Sequence, residues 1–323
     1  MSASKEEKMK SSGLKTRVIV LVLILMAVSL TSCATGKWNF IDKDGKIVFQ
    51  RQFDEATPFS DGLAGVKIGN KWGFIDINGN MIIEPQFDGV WSFHEGLAAV
   101  MIEGKWGFVD KNGKYVILPL FADASYFSED LAPAEAGGKW GYIDKSGRFA
   151  IQPQFDYAWH FQEGLAAVKK EGKWGFINKS GQIAIQPQFE GVLSFSEGLA
   201  GVLQGSKRGF IDKTGKLLIP AKFDNVLSFA EGLAPVKIGL QWGYIDKTGD
   251  VVIQPQFEFA FPFSEKQAPV KVGYKWGYIF KTGQLAIRPK YEGAYPFQNG
   301  VAIVKMGRAS GYIDKTGKYM RIL

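Results

Sequence analysis

Few side chains in this sequence could support catalysis or bind a metal ion. The two histidines, His94 and His160, have no second histidine, cysteine or paired carboxylate near them at metal-ligand spacing. The sequence contains neither a Gly-x-Ser-x-Gly nucleophile motif nor a Gly-x-x-x-x-Gly-Lys phosphate loop. We therefore predict a protein that is not an enzyme and that uses no metal and no other cofactor.

The single cysteine, Cys33, has chemistry of a different kind. It follows a basic stretch and an apolar run over residues 18–30, and residues 30–33 (Leu-Thr-Ser-Cys) resemble the lipobox of bacterial lipoproteins. A run of 13 residues is shorter than the roughly 20 that a membrane-spanning helix needs. A lone cysteine can also be a buried thiol, but its place after this run favours lipidation. We interpret residues 1–33 as a lipoprotein signal peptide and Cys33 as the lipid anchor.

The expected location is the cell envelope, with the protein attached to a membrane through Cys33. Ala34 follows the cysteine, and by analogy with lipoproteins of two-membrane bacteria the lack of aspartate there favours the outer membrane. After Cys33 the chain holds 34 Lys and Arg against 30 Asp and Glu, a formal charge of +4. This mild, dispersed charge predicts no nucleic-acid partner.

Residues 34–323 form a tandem repeat with a constant period of 34 residues. The first of eight full units starts at Trp38, and a partial unit covers residues 310–323. The repeated tryptophans that we assign to the structural core are Trp72, Trp106, Trp140, Trp174, Trp242 and Trp276. Glycines seven residues further on are assigned to turns: Gly79, Gly113, Gly147, Gly181, Gly215 and Gly249.

Each unit is predicted to contain three β-strands. A Lys-Trp-Gly-Phe-Ile-Asp run and a second apolar run flank an Asp-x-x-Gly turn, in which glycine takes positive φ without steric cost. A third strand of the Leu-Ala-Ala-Val type follows, and Pro133, Pro235 and Pro269 within it predict an edge strand. A phenylalanine before this strand should supply the core between units, at Phe93, Phe127, Phe161, Phe195 and Phe229.

The predicted fold class is all-β, a tandem array of three-stranded antiparallel meanders. The sequence predicts nine first strands, nine second strands and eight third strands. Eight complete units are therefore accompanied by one additional hairpin. This excess favours an open, curved, solenoid-like superhelix. An eight-bladed β-propeller, with the first hairpin outside the ring, is the alternative.

The repeated Lys-Trp-Gly-(Phe/Tyr)-Ile-Asp-Lys-x-Gly motif, with Pro-Gln-Phe and Phe-x-Glu-Gly-Leu-Ala after it, resembles the bacterial WG-repeat (KWG-repeat) family. The resemblance covers residues 37–323 and implies no catalytic residue. Local departures include Asn39 in place of glycine, and Arg208 and Ser310 in place of tryptophan. Together with the leader, the resemblance predicts a bacterial lipoprotein that acts as a non-catalytic binding scaffold.

Binding is expected where the units differ, because packing and turn geometry account for the constant positions. One variable position carries the aromatic residues Trp91, Trp159, Phe261 and Tyr295. These could anchor a protein partner, which is our leading hypothesis, or stack on the sugar rings of a glycan or peptidoglycan. They could also simply fill gaps between units.

Overall fold

The computed structural model describes residues 26–30, 37–41, 48–49, 51–307 and 309–320. All regular secondary structure within these ranges is β-strand. The strands form eight four-stranded antiparallel sheets and one two-stranded sheet. The predicted all-β tandem array is thereby confirmed. Cys33 and most of the predicted signal peptide lie outside the described residues. In the part that is described, no helix is long and apolar enough to cross a membrane.

The two-stranded sheet comes first and consists of β1 (Met26–Leu30) and β2 (Lys37–Ile41). Sheet 1 contains β3 (Glu55–Ala56), β4 (Leu63–Ile68), β5 (Lys71–Asp76) and β6 (Met81–Phe87). Sheet 2 contains β7 (Gly89–Val90), β8 (Ala98–Ile102), β9 (Lys105–Val109) and β10 (Tyr115–Phe121). Sheet 3 contains β11 (Asp123–Ala124), β12 (Ala132–Ala136), β13 (Lys139–Ile143) and β14 (Phe149–Phe155). Sheet 4 contains β15 (Tyr157–Gln162), β16 (Leu165–Lys170), β17 (Lys173–Asn178) and β18 (Ile183–Phe189).

The remaining four sheets repeat the same pattern. Sheet 5 contains β19 (Gly191–Val192), β20 (Ala200–Gln204), β21 (Lys207–Ile211) and β22 (Leu217–Phe223). Sheet 6 contains β23 (Asn225–Val226), β24 (Ala234–Ile238), β25 (Gln241–Ile245) and β26 (Val251–Phe257). Sheet 7 contains β27 (Phe259–Ala260), β28 (Gln267–Val272), β29 (Lys275–Phe280) and β30 (Leu285–Tyr291). Sheet 8 contains β31 (Gly293–Ala294), β32 (Val301–Met306), β33 (Ala309–Asp314) and β34 (Tyr319–Met320).

Strand order within each sheet follows chain order. We name the four positions the entry strand, the alanine strand, the tryptophan strand and the exit strand. The alanine strand, predicted as the third strand of one unit, pairs with the tryptophan strand that opens the next unit. In sheet 3, for example, Ala134 pairs with Gly141. Each sheet therefore spans the boundary between two sequence units.

The prediction that the proline-bearing strand lies at a sheet edge is wrong. The entry strand, which the sequence did not reveal, pairs with it on the other side, as Ala124 does with Ala134 in sheet 3. Proline is tolerated because the Ser125 N–H donates to the Pro133 carbonyl (3.1 Å), a bond that does not use the missing proline N–H.

The core consists of a row of small clusters, each between neighbouring sheets. In sheets 2 to 8 the phenylalanine before the alanine strand is almost fully buried, for example Phe93 and Phe127. It contacts a ring of the tryptophan strand, edge-on in Phe108–Phe127 at 4.9 Å. The repeated alanine, such as Ala132, is fully buried. The tryptophans lie at the margin of this core, because Trp140 and Trp242 are buried whereas Trp72, Trp106, Trp174 and Trp276 are only half-buried.

Two glycines of each unit have separate structural reasons. The turn glycine Gly113 has φ +81, its N–H donates to the Asp110 carbonyl, and a Cβ there would lie 3.2 Å from Ile83 of the preceding sheet. The glycine after each tryptophan faces the backbone of the exit strand, so that a Cβ on Gly107 would lie 2.6 Å from the Ile117 carbonyl oxygen. The Trp-Gly pair is thus fixed by strand packing.

The two ends of the array meet at β1. This strand pairs with β2, where an alanine strand stands in the other sheets, and it also contacts β33 of sheet 8. In the described part of the chain, strand pairing does not link one sheet to the next, so that the sheets form no closed barrel. Adjacent first and last sheets fit the propeller alternative.

Candidate functional site

The recurring carboxylate before the alanine strands of sheets 1 to 7 links one unit to the next. Its backbone has positive φ, for example +53 at Glu197, and its side chain accepts a hydrogen bond from a backbone N–H 35 residues on, here Gly232 N–H at 3.0 Å. The same contact joins Glu163 to Gly198 (3.0 Å) and Asp61 to Gly96 (2.7 Å). This contact makes a catalytic role unnecessary to explain the recurrence.

In the links from Glu95 to Glu265, a lysine from the turn after a tryptophan strand completes the contact. Lys247 lies 3.1 Å from Glu197 Oε2 and also donates to the Glu197 carbonyl at 3.0 Å. For Glu163, partial burial is the largest single effect and raises the pKa. Hydrogen bonds from Lys213 and the Gly198 N–H act in the opposite direction, and the net pKa is lowered. We call these repeated contacts the inter-unit links.

The main cavity lies where four consecutive sheets depart most from the repeat. It has a volume of about 590 Å³. Trp91 of sheet 2 and Trp159 of sheet 4 both line it, so two of the four predicted binding residues meet in one site. The further lining residues include Asp123, Ser125, Tyr126, Trp140, Tyr157, His160, Gln162 and Ser194.

Large residues at normally small positions build this cavity. Tyr126 and His160 occupy a position that holds proline or serine in the other units, among them Pro58 and Ser194. The entry strand β15 is also longer than its counterparts, running without interruption through Trp159 and His160 to Gln162. The extended strand fixes the backbone of the lining residues on the sheet 4 side.

Three aromatic rings from consecutive units pack in a row beside the cavity. The His94 ring stacks on the Tyr126 ring at 4.2 Å, and the Tyr126 ring contacts the His160 ring edge-on at 3.9 Å. Burial, and secondarily the nearby His94, lowers the pKa of His160 to about 4. His160 is therefore neutral near pH 7 and can donate or accept a hydrogen bond.

Ser125 Oγ and His160 Nε2 are 3.4 Å apart, which brings a hydroxyl close to an imidazole. This distance is long for a hydroxyl hydrogen bond, and a histidine with so low a pKa is a weak general base. The pair is better suited to hydrogen-bond a polar ligand than to activate a nucleophile. Among the described residues, no cluster of three or more His, Cys, Asp or Glu side chains is arranged to hold a metal ion.

Only two of the four predicted binding aromatics line this cavity. Phe261 and Tyr295 lie in sheets 7 and 8 and are not among its lining residues. Three of the four pack against the tryptophan of their own sheet, namely Trp91 on Trp106 (6.4 Å), Trp159 on Trp174 (5.1 Å) and Phe261 on Trp276 (5.4 Å). Gap filling thus accounts for part of their packing, but Trp91 remains 45% exposed.

Sequence reasoning missed Tyr126, His160, Ser125 and Gln162 as a group. The two histidines stand at different positions in their units, so the repeat alignment does not group them with each other. A usable signal was present, since Tyr126 and His160 replace small residues at the same repeat position in neighbouring units.

The fold is similar to those of several solved structures at low sequence identity. A crystal structure of the eukaryotic initiation factor aligns with TM-score 0.64 and 11% identity, covering 93% of this chain and 95% of that chain. Apo AztD from Citrobacter koseri aligns with TM-score 0.45 and 13% identity over 93% of both chains. The first likeness supports a propeller-like fold and shows nothing about function. A comparison with curated protein sequences finds no match.

A family model described as "WG containing repeat" matches the chain along most of its length. The matched segments are residues 38–72, 72–106, 106–140, 140–174, 174–207, 209–239, 242–276 and 276–308. The segment boundaries follow the 34-residue period, and the gaps after 207 and 239 flank the unit in which Arg208 replaces tryptophan. The chain belongs to the family of proteins built from WG-containing repeats.

Proposed function

We propose that this protein is a lipid-anchored, non-catalytic binding scaffold of the cell envelope, and that its ligand occupies the cavity between Trp91 and Trp159. The supporting observation is that residues at variable repeat positions converge on one cavity. Constant positions are explained by the core, the turns and the inter-unit links. The anchor rests on the lipobox-like residues that end at Cys33.

The lining chemistry favours a carbohydrate over the protein partner that led our sequence analysis. Indole rings stack on the apolar faces of sugar rings, while hydroxyl, amide, imidazole and carboxylate groups bind the sugar hydroxyls. Trp91 and Trp159 supply the rings, and Ser125, His160 and Gln162 supply polar groups. We therefore propose a glycan segment, such as a peptidoglycan strand, as the ligand.

The test compares glycan binding by the full chain and by the Trp91→Ala/Trp159→Ala variant, using a glycan array and isolated peptidoglycan. We expect the loss of two stacking rings to weaken binding by about ten-fold or more. Tyr295→Ala is the matched control, because Tyr295 occupies the same repeat position, is 56% exposed and does not line the cavity.

Thermal unfolding of each variant separates lost binding from lost folding. Trp91→Ala alone should leave the melting temperature nearly unchanged, since the side chain is already half exposed. Failure of the unaltered chain to bind any glycan, or equal binding by the double variant and the unaltered chain, would refute the glycan proposal.

A protein partner remains a second candidate, supported by a different surface. Val116, Leu118 and Leu120 alternate along the exposed side of the exit strand β10 and are 44%, 61% and 69% exposed. In sheet 3 the positions of Leu118 and Leu120 hold Gln152 and Gln154. An apolar stripe on an exposed edge strand is a typical contact surface for another chain.

The Leu118→Gln/Leu120→Gln variant tests this surface, because it restores the residues of sheet 3 and should fold normally. Crosslinking in intact cell envelopes should give an adduct for the unaltered chain that the variant lacks. An identical adduct pattern in both chains would count against a partner at β10.

A further inference from the structure

The turns that join each alanine strand to its tryptophan strand, which we call the hairpin tips, differ around the array. In sheets 1 to 5 the second tip residue is small, namely Asn70, Gly104, Gly138, Gly172 and Ser206. In sheets 6 and 7 it is Leu240 and Tyr274, which are 86% and 92% exposed. Such exposed apolar side chains are not required by the turn, since the other units form it with small residues.

The strand ends beside these tips enlarge the apolar surface. Ile238, Val272 and Met306 occupy one repeat position at the end of the alanine strands of sheets 6, 7 and 8, and each is more than 40% exposed. We call these three residues, with Leu240 and Tyr274, the apolar tips. They belong to three consecutive sheets at the C-terminal end of the array.

The proposed lipid anchor leaves the array at the same rim. Lys37 begins β2 as Gln241 and Lys275 begin the tryptophan strands of sheets 6 and 7, directly after a hairpin tip. From Cys33 to Lys37 the chain can span at most about 14 Å. A lipid on Cys33 would therefore hold this rim close to the bilayer surface.

The apolar tips also lie on the side of the array where the anchor is attached. Strand β1 (Met26–Leu30), part of the predicted signal peptide, pairs with β2 and contacts β33 of sheet 8, so that β2 lies next to sheet 8, and sheets 7 and 6 follow. On its other side β2 contacts β3 of sheet 1, where the small, polar tips begin. The side chains best suited to a lipid interface are thus concentrated on one side of the tether.

We infer that the apolar tips rest in the interfacial region of the membrane that holds the lipid anchor. Tyrosine favours this region because its ring is apolar and its hydroxyl stays in contact with water, and leucine adds apolar area. Lys305, next to Met306 at the end of β32, would face anionic headgroups. This contact orients the array and leaves the opposite rim, with the Asp-Lys-x-Gly turns, facing away from the bilayer.

The inference rests on the anchor in the proposed function, and its experiment separates the two. The full chain is produced with Tyr274→Cys or Leu240→Cys, purified after processing and labelled with an environment-sensitive fluorophore. It is then inserted into vesicles of phosphatidylethanolamine and phosphatidylglycerol that contain nitroxide-labelled lipid. Ser206→Cys and Gly172→Cys are the matched controls at the same tip position.

We expect the label at residues 240 and 274 to shift to shorter emission wavelength and to be quenched several-fold more strongly than at residues 172 and 206. Equal quenching at all four positions, or none at 274, would overturn the inference. Shielding at 274 that needs an added envelope protein extract would also overturn it and would assign the tips to a protein partner. Mass spectrometry of the same sample reports the lipid on Cys33, so that a failed anchor is distinguished from an anchored chain with water-exposed tips.

Discussion

His160 illustrates how one substitution within a repeat changes local chemistry. Its neighbours in the repeat alignment, Ser194 and Ser228, are small, whereas the imidazole fills space between Tyr126 and the cavity. Burial keeps it neutral over most of the pH range, which suits a polar contact to an uncharged ligand. The same burial makes this residue a source of instability in acid.

We predict that His160→Ser reduces the acid sensitivity of the fold. The folded-state pKa of His160 is about 4, below the ordinary 6.5, so the unfolded chain binds a proton between these values and the folded chain does not. Stability is therefore lost as pH falls from 6.5 towards 4. Urea unfolding measures how much free energy of unfolding is lost between pH 7 and pH 4.5. We expect this loss to be smaller in the variant than in the unaltered chain, by at most about 3 kcal/mol.

His94→Ser provides the comparison for this prediction. Burial lowers the pKa of His94, but the nearby Asp61 and Glu95 raise it. Its removal should change the acid sensitivity less than removal of His160. An equal loss of stability between the two pH values in His160→Ser and the unaltered chain would show that His160 is protonated alike in both states.

At the scale of single elements, the two glycine positions differ in what they require. The turn glycine needs positive φ, and this was predictable from the Asp-x-x-Gly spacing. The glycine after tryptophan lies in a strand. Glycine is required there because the backbone of the exit strand passes too close for a Cβ atom. No local pattern predicts this crossing, because it depends on the backbone irregularity around Pro187 and its equivalents.

We predict that Gly175→Ala is strongly destabilising, by about 3 kcal/mol, whereas Gly172→Ala costs about 1 kcal/mol. A Cβ on Gly175 would lie 2.5 Å from the Ile185 carbonyl oxygen and 2.6 Å from Pro187 N, and backbone atoms cannot rotate away. Gly172 has open space around it, and only its φ of +80 opposes a side chain. Urea unfolding of both variants measures the difference, and equal costs would contradict the crossing.

Strand content and register were largely predictable from the sequence, whereas sheet boundaries were not. Runs of aromatic and β-branched residues, such as residues 115–118, indicated strands, and the constant period indicated equivalent packing. The sheets begin at the entry strand, however, which pairs over only two residues in seven of the eight four-stranded sheets. So short a strand leaves no periodic pattern in the sequence. Without a visible partner on its outer side, the proline-bearing strand was predicted to lie at an edge.

Across the whole molecule, the inter-unit links join sheets that share no strand pairing. The links from Glu95 to Glu265 use one carboxylate, one backbone N–H and one lysine, and the sequence revealed only the recurrence of the carboxylate. Its partner stands 35 residues away, so that the link could not be predicted before the units were stacked. The cavity was unpredictable for the same reason, since its lining comes from four sheets.

We predict that Glu197→Ala lowers the stability of the array by about 1–2 kcal/mol, because the Gly232 N–H loses its acceptor. Lys247→Met should cost less than about 1 kcal/mol, since the exposed ion pair is weak and the N–H bond remains. Urea midpoints in low and high salt measure both, with Glu84→Ala as the exposed control. A greater loss in Lys247→Met than in Glu197→Ala would show that charge dominates the link.

The links have a direction, since the side chain of each unit holds the backbone of the following one. Every such junction uses nearly the same three groups at the same spacing. A gene that gains or loses one whole repeat by recombination would therefore create a junction like those already present. Divergence of this protein's relatives is expected to proceed by changes in repeat number as well as by point substitution, with new cavities arising wherever two altered repeats become neighbours.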